Sequence, residues 1–344
     1  MAEQDEDSAS ARKRRPAVMW DVARLAGVSH QTVSRVINDS QHVRPQTRER
    51  VLAAMRQLDY RPNSVARALV TGRSKTLGVL SFDTTLYGPA STLYGIEQAA
   101  HEAGYFITIA SLKALDAPSV LDAIERLRLQ GVDGILVIAP QEGAARALRQ
   151  VPAGTPLVAV EAGPVTGVPV AAVDQFAGAA KATRHLLELG HETVWHIAGP
   201  TDWLEAQQRV AGWRATLEAV GAPVPEPRQG DWSPRSGYEH GRALAADAAV
   251  TAIFVSNDQM ALGALRALHE AGRAIPGDVS VVGFDDIPEA PYFTPPLTTV
   301  RQDFGEMGRR SLHALLRLIE QPERPQPLPE VTPELVVRAS SGPR

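Results

Sequence analysis

The 344-residue sequence contains no cysteine. Disulfide bridges, thiolate metal sites and a cysteine nucleophile are therefore excluded. Aromatic residues are sparse at 5%, but hydrophobic residues of all kinds reach 44%, which is enough to fill the cores of two or three domains. Long apolar runs are also missing, since no stretch approaches the ~18 residues that a membrane-spanning helix requires. We expect a globular protein with no membrane partner.

Motifs of the common enzyme classes are absent too. There is no Gly-x-Ser-x-Gly elbow for a nucleophilic serine and no Gly-Lys loop for a phosphate, and the nine histidines lack metal-site spacing. The pair Asp285 and Asp286 could serve as acid and base in an enzyme, although such pairs are also common in turns after strands. We expect no catalytic residue, no metal and no cofactor.

Charge is distributed unevenly along the chain. The first residues, MAEQDEDSAS, are acidic and unlike a secretory signal peptide, so we expect a cytoplasmic protein in which residues 1–16 form a disordered lead-in. Residues 11–73 carry 13 Lys and Arg against 4 Asp and Glu, whereas residues 74–344 carry 22 against 31. A basic module on an acidic body indicates a polyanionic partner for the module, although Arg-rich helices can also be merely solvated.

The segment DVARLAGVSHQTVSRVIND, residues 21–39, has the pattern of two short helices joined by a tight turn. Gly27 stands where a helix would end in a left-handed residue, and Ser29 stands where an N-cap would begin the next helix. A third helix is predicted to begin at Pro45. Apolar residues at helical spacing predict the buried faces of the three helices: Val22, Ala23 and Leu25, then Val33, Val36 and Ile37, then Val51, Leu52, Met55 and Leu58.

The outer face of the second helix gathers hydrogen-bonding side chains. In a helix-turn-helix this helix enters the major groove of DNA, where glutamine can bind adenine and arginine can bind guanine through two hydrogen bonds each. An ordinary polar surface helix would show the same spacing, so both interpretations stay open at this point. The predicted DNA contacts of this region are Ser29, His30, Gln31, Thr32, Ser34, Arg35 and Asn38.

From about residue 76 onward, short apolar runs alternate with amphipathic helical patterns. TLGVLSF, STLYGIEQAAHEAGY, FITIAS, SVLDAIERLRLQG and DGILVIAP predict strand, helix, strand, helix and strand in turn. Such alternation is typical of an α/β sheet with helices on both faces. The Pro- and Gly-rich segment EAGPVTG interrupts the pattern, and a second series of strands and helices follows it. The sequence therefore predicts two doubly wound lobes.

These motifs together resemble the lactose/galactose repressor (LacI/GalR) family. DVA, AGVS and QTVSRVIN are followed, at the family's spacing, by Tyr60, Pro62, Asn63, Ala66 and Leu69. Further family motifs occur in family order in the body: AGP at 198–200, QRVAGW at 208–213, GDWS at 230–233, NDQMALGAL at 257–265, VVGFDD at 281–286 and TTVRQDF at 298–304. The resemblance extends from about residue 18 to residue 340, and it is strongest to the member after which the family is named.

The resemblance implies the fold class and the domain organisation. It implies a small all-α helix-turn-helix DNA-binding domain and an α/β effector domain of two lobes, similar to periplasmic sugar-binding proteins. The expected boundaries are 17–61 for the helix-turn-helix, 62–75 for a hinge helix and linker, and 76–344 for the sugar-binding and dimerisation domain. Lobe 1 is expected at about 76–173 and 302–328, and lobe 2 at about 174–301 and 329–340.

The resemblance also implies how the hinge acts. In the family, two hinge helices of a dimer enter the minor groove at the operator centre, and the leucine matched by Leu69 wedges between base pairs and bends the DNA. Asn63 and Ala66 match further hinge contacts. The cost of unstacking a base step is offset by the additional contacts that the bent duplex makes. Taken alone, Leu69 could equally be a core residue of a short helix.

A cleft between the lobes is the implied ligand site. Paired sugar hydroxyls require planar hydrogen-bonding groups, and the C–H face of a sugar ring requires an aromatic surface. The residues that the resemblance places there are Arg209, Asn257 and Asp285 as hydroxyl binders, Trp232 as the stacking surface, and Gln302 and Phe304 at the crossover between lobes. Taken alone, Arg209 could be a solvated surface residue and Trp232 a core residue.

Departures from the family's name-giving member leave the ligand open. Glu161 stands where that member has an aspartate, and Gln207 stands where it has an arginine. Phe82 and Tyr87 stand where smaller or different groups line its pocket. We expect Glu161, Phe82 and Tyr87 to contact the ligand, which we expect to be a galactoside or, second, a gluco- or xylo-oligosaccharide.

The implied function is repression of transcription. A homodimer would bind a palindromic operator in double-stranded DNA, and a small sugar bound between the lobes would release it. A dimer and not a tetramer is expected, because the sequence ends at ELVVRASSGPR without leucine heptads for a coiled coil. Two alternatives are a sugar-binding protein without DNA regulation, which leaves the basic module unexplained, and a sugar-modifying enzyme, which would need the missing catalytic motifs.

Overall fold

The computed structural model describes residues 15, 17–37, 42–61, 68, 72–82, 84–112, 116–152, 154–321 and 327–344. Contacts between Cα atoms divide the chain into two compact units, residues 1–74 and residues 75–344. Four of the expected DNA contacts, Asn38, Asn63, Ala66 and Leu69, lie outside the described residues. Within the described ranges, no helix has the length and apolar character needed to cross a membrane.

Three short helices form the first unit: α1 (Met19–Ala26), α2 (His30–Ile37) and α3 (Pro45–Gln57). Gly27 ends α1 in a left-handed conformation with φ of 63°, which glycine adopts without steric cost, and its N–H donates to carbonyl groups of the last turn. The Ser29 side chain then accepts a hydrogen bond from the Thr32 amide at 3.2 Å. This bond satisfies one of the free amides at the start of α2.

The core of this unit is built around three fully buried valines, Val22, Val33 and Val51. Small buried alanines beside them allow the short helices to approach closely. The expectation that Leu25 and Leu52 face the core is wrong, since these side chains are 44% and 40% exposed. The buried face of α1 runs from Val22 to Ala26, one helical turn apart, which places Leu25 at its edge.

A first sheet of five parallel strands begins the second unit. Its strands are β1 (Thr76–Phe82), β2 (Phe106–Leu112), β3 (Gly134–Ile138), β4 (Leu157–Val160) and β5 (Val170–Ala171), and the helices between them are α4 (Tyr87–Glu102), α5 (Ala117–Leu129) and α6 (Glu142–Leu148). The spatial order of the strands is β2-β1-β3-β4-β5. Alternate residues of β3 belong to two separate cores, so helices cover both faces of this sheet.

A second sheet of six strands follows. Its strands are β6 (Trp195–Ala198), β7 (Arg228–Gln229), β8 (Ala252–Val255), β9 (Ser280–Asp285), β10 (Thr298–Arg301) and β11 (Glu334–Val336). The remaining helices are α7 (Gln175–Glu188), α8 (Leu204–Ala219), α9 (Pro234–Ala245), α10 (Asp258–Glu270) and α11 (Phe304–Glu320), with a short 3₁₀ turn at Ala290–Tyr292. The spatial order is β11-β10-β9-β8-β6-β7, with β11 antiparallel to β10 and the other pairs parallel.

The chain passes between the two sheets three times. It leaves the first sheet after β5, returns after β10 to α11, and enters the second sheet again at β11. α11 packs on the first sheet beside α4, where a Cβ on Gly95 would collide with the carbonyl oxygen of Phe304. The predicted fold class, a small helical domain with an α/β domain of two doubly wound lobes, is confirmed.

Candidate functional site

The outer surface of α2 is the first candidate site. Val33 and Val36 are buried, whereas His30, Gln31 and Arg35 are exposed. Gln31 and Arg35 are four residues apart, so they lie on the same side of the helix. An amide and a guanidinium can each form two hydrogen bonds with the edge of one base. This face of α2 therefore presents the chemistry that base recognition requires.

Ser29 and Thr32 are already paired with each other. Their hydroxyl groups lie 2.9 Å apart, and the Ser29 hydroxyl also accepts from the Thr32 amide. Both side chains therefore stabilise the start of α2. Ser34, the remaining predicted contact in the described part of this unit, is half-buried.

A cavity of about 260 Å³ between the two lobes is the second candidate site. Its volume is slightly below the ~300–1,000 Å³ of typical small-ligand pockets, so it suits a small molecule. The first lobe contributes a largely apolar wall, and the second lobe contributes most of the charged groups. The lining residues are Thr85, Leu86, Tyr87, Gly88 and Pro89 from the first lobe, and Trp203, Glu205, Arg209, Trp232, Ser233, Pro234, Asn257, Gln259, Asp285 and Gln302 from the second lobe and the crossover.

Arg209 is only 2% exposed, and groups on several sides fix the position of its guanidinium. Its Nε donates to Oε1 of Gln175 at 2.9 Å, and its Nη1 donates to the carbonyl oxygen of Ser256. Its Nη2 lies 3.8 Å from Oδ1 of Asp285. The guanidinium also lies over the ring of Phe284, 3.9 Å from the ring centroid. A guanidinium fixed in this way presents one orientation to a ligand.

A chain of side-chain hydrogen bonds links α7, the end of β9 and the crossover. Gln302 donates to Oδ1 of Asp285 at 2.7 Å and accepts from Nε2 of Gln175 at 2.9 Å. All three residues are buried. Because buried polar groups keep a defined geometry when their hydrogen bonds are satisfied, this chain holds Asp285 at the cavity wall.

Burial raises the pKa of the carboxyl groups around the cavity. Desolvation raises the pKa of Asp285 to about 6, although Arg209 opposes this. Desolvation also raises the pKa of Glu205 to about 7, opposed by Arg209 and reinforced by Asp285. The pKa of Glu161 lies well above its ordinary value, because the group is buried and Glu205 is close. A ligand that donates hydrogen bonds or brings positive charge would favour the ionised forms.

Trp232 provides aromatic surface on the second-lobe wall of the cavity, and Asn257 is hydrogen-bonded to its backbone. The Trp232 ring meets Trp203 edge to face, with ring centroids 5.5 Å apart. Nδ2 of Asn257 donates to the Trp232 carbonyl oxygen at 3.1 Å, and Oδ1 of Asn257 accepts from the Met260 amide at 2.9 Å, which caps α10. Trp232 thus belongs to the second-lobe core while its remaining surface lines the cavity.

Three residues expected to bind the ligand have left-handed backbone conformations. Their φ angles are 58° for Glu161, 72° for Trp232 and 109° for Asp285. A residue with a side chain in such a conformation costs roughly 1–3 kcal/mol. The surrounding structure must impose this strain, and strain of this kind collects at ligand sites.

Three residues that were expected to contact the ligand do not line this cavity: Phe82, Glu161 and Phe304. Phe82 packs against the first-lobe core. The carboxylate of Glu161 accepts a hydrogen bond from the Val173 amide at 3.1 Å. Phe304 contacts the ring of Tyr87 edge to face at a centroid distance of 5.8 Å, so it supports a residue that does line the cavity.

Gln207 joins the two lobes close to the cavity. Its Nε2 donates to Oε1 of Glu142 in the first lobe at 2.9 Å and to the Thr201 carbonyl oxygen at 2.7 Å. The Leu204 amide donates to the Pro140 carbonyl oxygen at 2.8 Å in the same region. These bonds connect the lobes beside Trp203, whose ring lines the cavity.

Asp286 is not free to act as an acid or base. Its carboxylate accepts from Arg301 at 2.7 Å and from Arg338 at 2.6 Å, so it ties the end of β9 to β10 and to the C-terminal segment. The described part of the chain contains no group of three or more His, Asp and Glu residues that could hold a metal ion. The chemistry of the cavity is that of hydrogen bonding and ring packing.

Sequence reasoning assigned six of the fifteen lining residues to the ligand site and missed the other nine, among them Glu205 and Trp203. Glu205 precedes Arg209 by four residues on α8, so helical spacing could have placed the two side chains on one face. Trp203 lies just before α8, where the lobes approach each other. No local pattern distinguishes it from a core tryptophan, because its position depends on how the lobes pack.

Known proteins resemble this chain along most of its length. Residues 18–63 match the lacI family of bacterial regulatory proteins, and residues 183–341 match a periplasmic binding protein-like domain. The lactose operon repressor of Escherichia coli K12 is 35% identical over 306 residues, which cover 88% of this chain and 85% of that repressor. The HTH-type transcriptional repressor PurR of Haemophilus influenzae is 35% identical over 335 residues, which cover 94% of this chain and 98% of PurR.

A solved structure extends this agreement to three dimensions. The lac repressor dimer bound to operator and the anti-inducer ONPF matches with a TM-score of 0.83 at 34% identity, covering 95% of this chain and 100% of that one. The relatives are transcriptional repressors and not enzymes. The chain therefore belongs to the lacI family of bacterial regulatory proteins, as a DNA-binding transcriptional regulator with a periplasmic binding protein-like domain.

Proposed function

We propose that this regulator binds a palindromic operator as a homodimer and releases it when a small sugar occupies the cavity between the lobes. The observation that carries the proposal is that one chain combines exposed Gln31 and Arg35 on α2 with a buried network of Arg209, Asp285 and Gln302 at a cavity. A bacterial protein that binds chromosomal DNA works in the cytoplasm.

On the operator, α2 lies in the major groove, with Gln31 and Arg35 on base edges. Ser29, His30, Thr32, Ser34 and Asn38 contact neighbouring bases or phosphates in this proposal. Asn63 and Ala66 of the hinge enter the minor groove, and Leu69 wedges into a base step at the operator centre. The support for the hinge contacts is the family spacing of the sequence.

A homodimer is proposed because a two-fold symmetric protein matches the two half-sites of a palindrome. The lac repressor relative, which is a dimer on its operator, supports the same assembly here. Light scattering on the purified protein at micromolar concentration measures the mass. A tetrameric mass would contradict this part of the proposal.

The cavity wall suits a sugar. Asn257, Arg209 and Asp285 offer planar groups for paired hydroxyls, and Trp232 and Tyr87 offer ring surface for C–H groups. Glu161, Phe82, Gln302 and Phe304 complete or support the site in this proposal. A galactoside remains the first candidate, and a gluco- or xylo-oligosaccharide the second.

Release follows from the contribution of both lobes to the cavity. A ligand that contacts both walls stabilises one arrangement of the lobes over another, and it shifts the population only by its differential affinity for the two. Typical coupling free energies of ~1–3 kcal/mol per site lower operator affinity measurably. In this proposal the arrangement that the sugar favours has the lower operator affinity, so the sugar acts as an inducer; the sign is taken from the family resemblance.

The test is recovery of genomic DNA fragments on the purified protein, with and without a panel of mono- and disaccharides, at one fixed salt concentration because affinity depends on it. Recovery of a palindrome that one sugar releases is the expected result. If no fragment is enriched under any condition, the proposal of operator binding fails. If fragments are enriched but no sugar releases them, the effector part alone fails.

A further inference from the structure

Glu205 lines the cavity, and its carboxyl group accepts no hydrogen bond from the described residues. It lies in the first turn of α8, its side chain is 16% exposed, and its recorded partner is Nη2 of Arg209 at 3.9 Å, beyond hydrogen-bond distance. Within the described part of the chain, neither a side chain nor a backbone amide donates a hydrogen bond to the Glu205 carboxylate. A carboxyl group that faces a cavity and accepts no hydrogen bond from the protein takes its donors from whatever fills the cavity, water or ligand.

Arg209 does not donate a hydrogen bond to Glu205 in this structure. Its Nε donates to Gln175 and its Nη1 donates to the Ser256 carbonyl oxygen, while Nη2 is also shared with Asp285 at 3.8 Å. One guanidinium therefore faces two lining carboxyl groups, Glu205 and Asp285. Arg209 is also unable to turn toward an anionic ligand without breaking these bonds.

Other ionisable groups nearby do not correct the imbalance. Glu161 lies behind the cavity and interacts with Glu205 electrostatically, and Asp258 lies behind Asp285 with its oxygens held by the Ile287 amide and the Thr299 hydroxyl. His196 is fully buried, and desolvation lowers its pKa to about 4, so it brings no positive charge near neutral pH. The described surroundings of the cavity thus hold one guanidinium and four carboxyl groups, whose pKa values are raised by burial.

We propose that the ligand of this cavity is a sugar that carries a protonated amino group, and that Glu205 binds this ammonium group and so determines specificity. The inference rests on the proposed function, because it names the chemical class of the sugar in that same cavity. An ammonium group can donate three hydrogen bonds, and its positive charge favours the ionised form of Glu205. A sugar phosphate or a sugar acid would instead place a negative charge beside these carboxyl groups.

The experiment is calorimetric titration of the full-length protein with pairs of sugars that differ only in replacement of a hydroxyl by an amine. Galactose with galactosamine, glucose with glucosamine, and their 6-amino counterparts test two positions of the amine, and the N-acetyl derivatives remove the charge. The amine should bind about ten- to hundredfold more tightly than its hydroxyl partner in at least one pair. Glu205→Gln should bring this ratio close to one. Glu218→Gln, an exposed position on the same helix, should leave the ratio unchanged.

The outcomes separate this inference from the proposed function. Neutral sugars that bind as tightly as their amines in every pair would overturn the inference while leaving the sugar-responsive regulator intact. A preference for the amine that survives Glu205→Gln would overturn the role of Glu205. If neither neutral nor amino sugars bind the wild-type protein, the proposed sugar effector fails and this inference fails with it. The wild-type series alone decides the ligand class, so the result does not depend on the folding of a variant.

Discussion

The two candidate sites differ in how their side chains are held. On α2, Gln31 and Arg35 are exposed above a small core of valine and alanine. In the cavity, Arg209, Asp285 and Gln302 are buried and bonded to one another or to shared neighbours. A long, charged polymer is bound at a surface, whereas a small molecule is enclosed. We infer that substitutions on α2 change binding with little effect on folding, and that substitutions in the cavity change both.

Arg209→Ala should show the largest effect. It leaves the buried carboxylate of Asp285 and the carbonyl oxygen of Ser256 without their cationic partner. Breaking a buried ion pair in this way lowers the free energy of unfolding by about 3–5 kcal/mol. Chemical denaturation of the full chain measures the loss, and release of DNA by sugar should disappear in the fraction that remains folded.

The matched control for this change is Arg235→Ala. Arg235 is 86% exposed and pairs with Glu239 on the surface of α9 at 3.0 Å. Exposed ion pairs contribute little to stability, so the denaturation midpoint should not move measurably. Equal stability of the Arg209 and Arg235 variants would show that the buried network has no energetic role and would remove the contrast between the sites.

The dependence of stability on pH should come next in size. Burial raises the pKa of Glu205 from its ordinary 4.5 to about 7, so the folded protein holds this proton more tightly than the unfolded chain does. The resulting stabilisation is complete below pH 4.5 and is lost as pH rises through about 7. The loss from this group is roughly 3 kcal/mol.

Glu205→Gln isolates this contribution. Asp285 and Glu161 also have raised pKa values, so the wild-type protein and the variant should both lose stability as pH rises, the variant less steeply. Denaturation at pH values on either side of the transition gives the two slopes. Glu218→Gln should retain the wild-type slope. Identical slopes for wild type and Glu205→Gln would mean that Glu205 does not titrate in this range.

The periodic parts of the sequence were sufficient to predict the architecture. Alternating apolar runs and amphipathic helices predicted the two lobes, and a glycine turn followed by a serine cap predicted α1 and α2. The errors at Leu25 and Leu52 were errors of one helical position. They arose because alanines, which carry little hydrophobic signal, occupy the buried face beside the valines.

The cavity was less accessible to sequence reasoning. Family spacing indicated Arg209, Asn257 and Asp285, and all three line the cavity. Trp203 was missed because it reaches the cavity through the packing of one lobe against the other, whereas helical spacing from Arg209 could have identified Glu205. Phe82 was expected at the ligand, and it packs against the first-lobe core without lining the cavity. Periodicity along one element does not report such contacts between elements.

Arg35→Lys should affect DNA binding more than folding. Lysine keeps the positive charge but loses the planar fork that can bind one base through two hydrogen bonds. Specific operator affinity should fall by about 1–3 kcal/mol, while binding to random DNA and its salt dependence stay close to wild type. Titrations of operator and random duplexes at two salt concentrations measure this. An equal loss on both duplexes would place Arg35 on the phosphate backbone.

Ser29→Ala should give the smallest effect on stability, and it tests whether the surface site is wholly independent of the fold. The Ser29 hydroxyl accepts from the Thr32 amide, so its loss should destabilise the start of α2 by about 0.5–1 kcal/mol. Hydrogen exchange of the α2 amides in the full chain reports this locally. Ser29→Asp should restore protection, because aspartate is an equally good N-cap, yet it should weaken DNA binding by placing a negative charge near phosphates. If Ser29→Asp restores both protection and DNA binding, Ser29 acts only as a cap. If it restores protection alone, this residue belongs to both the fold and the DNA-binding surface, and the contrast between exposed and enclosed sites is incomplete at that position.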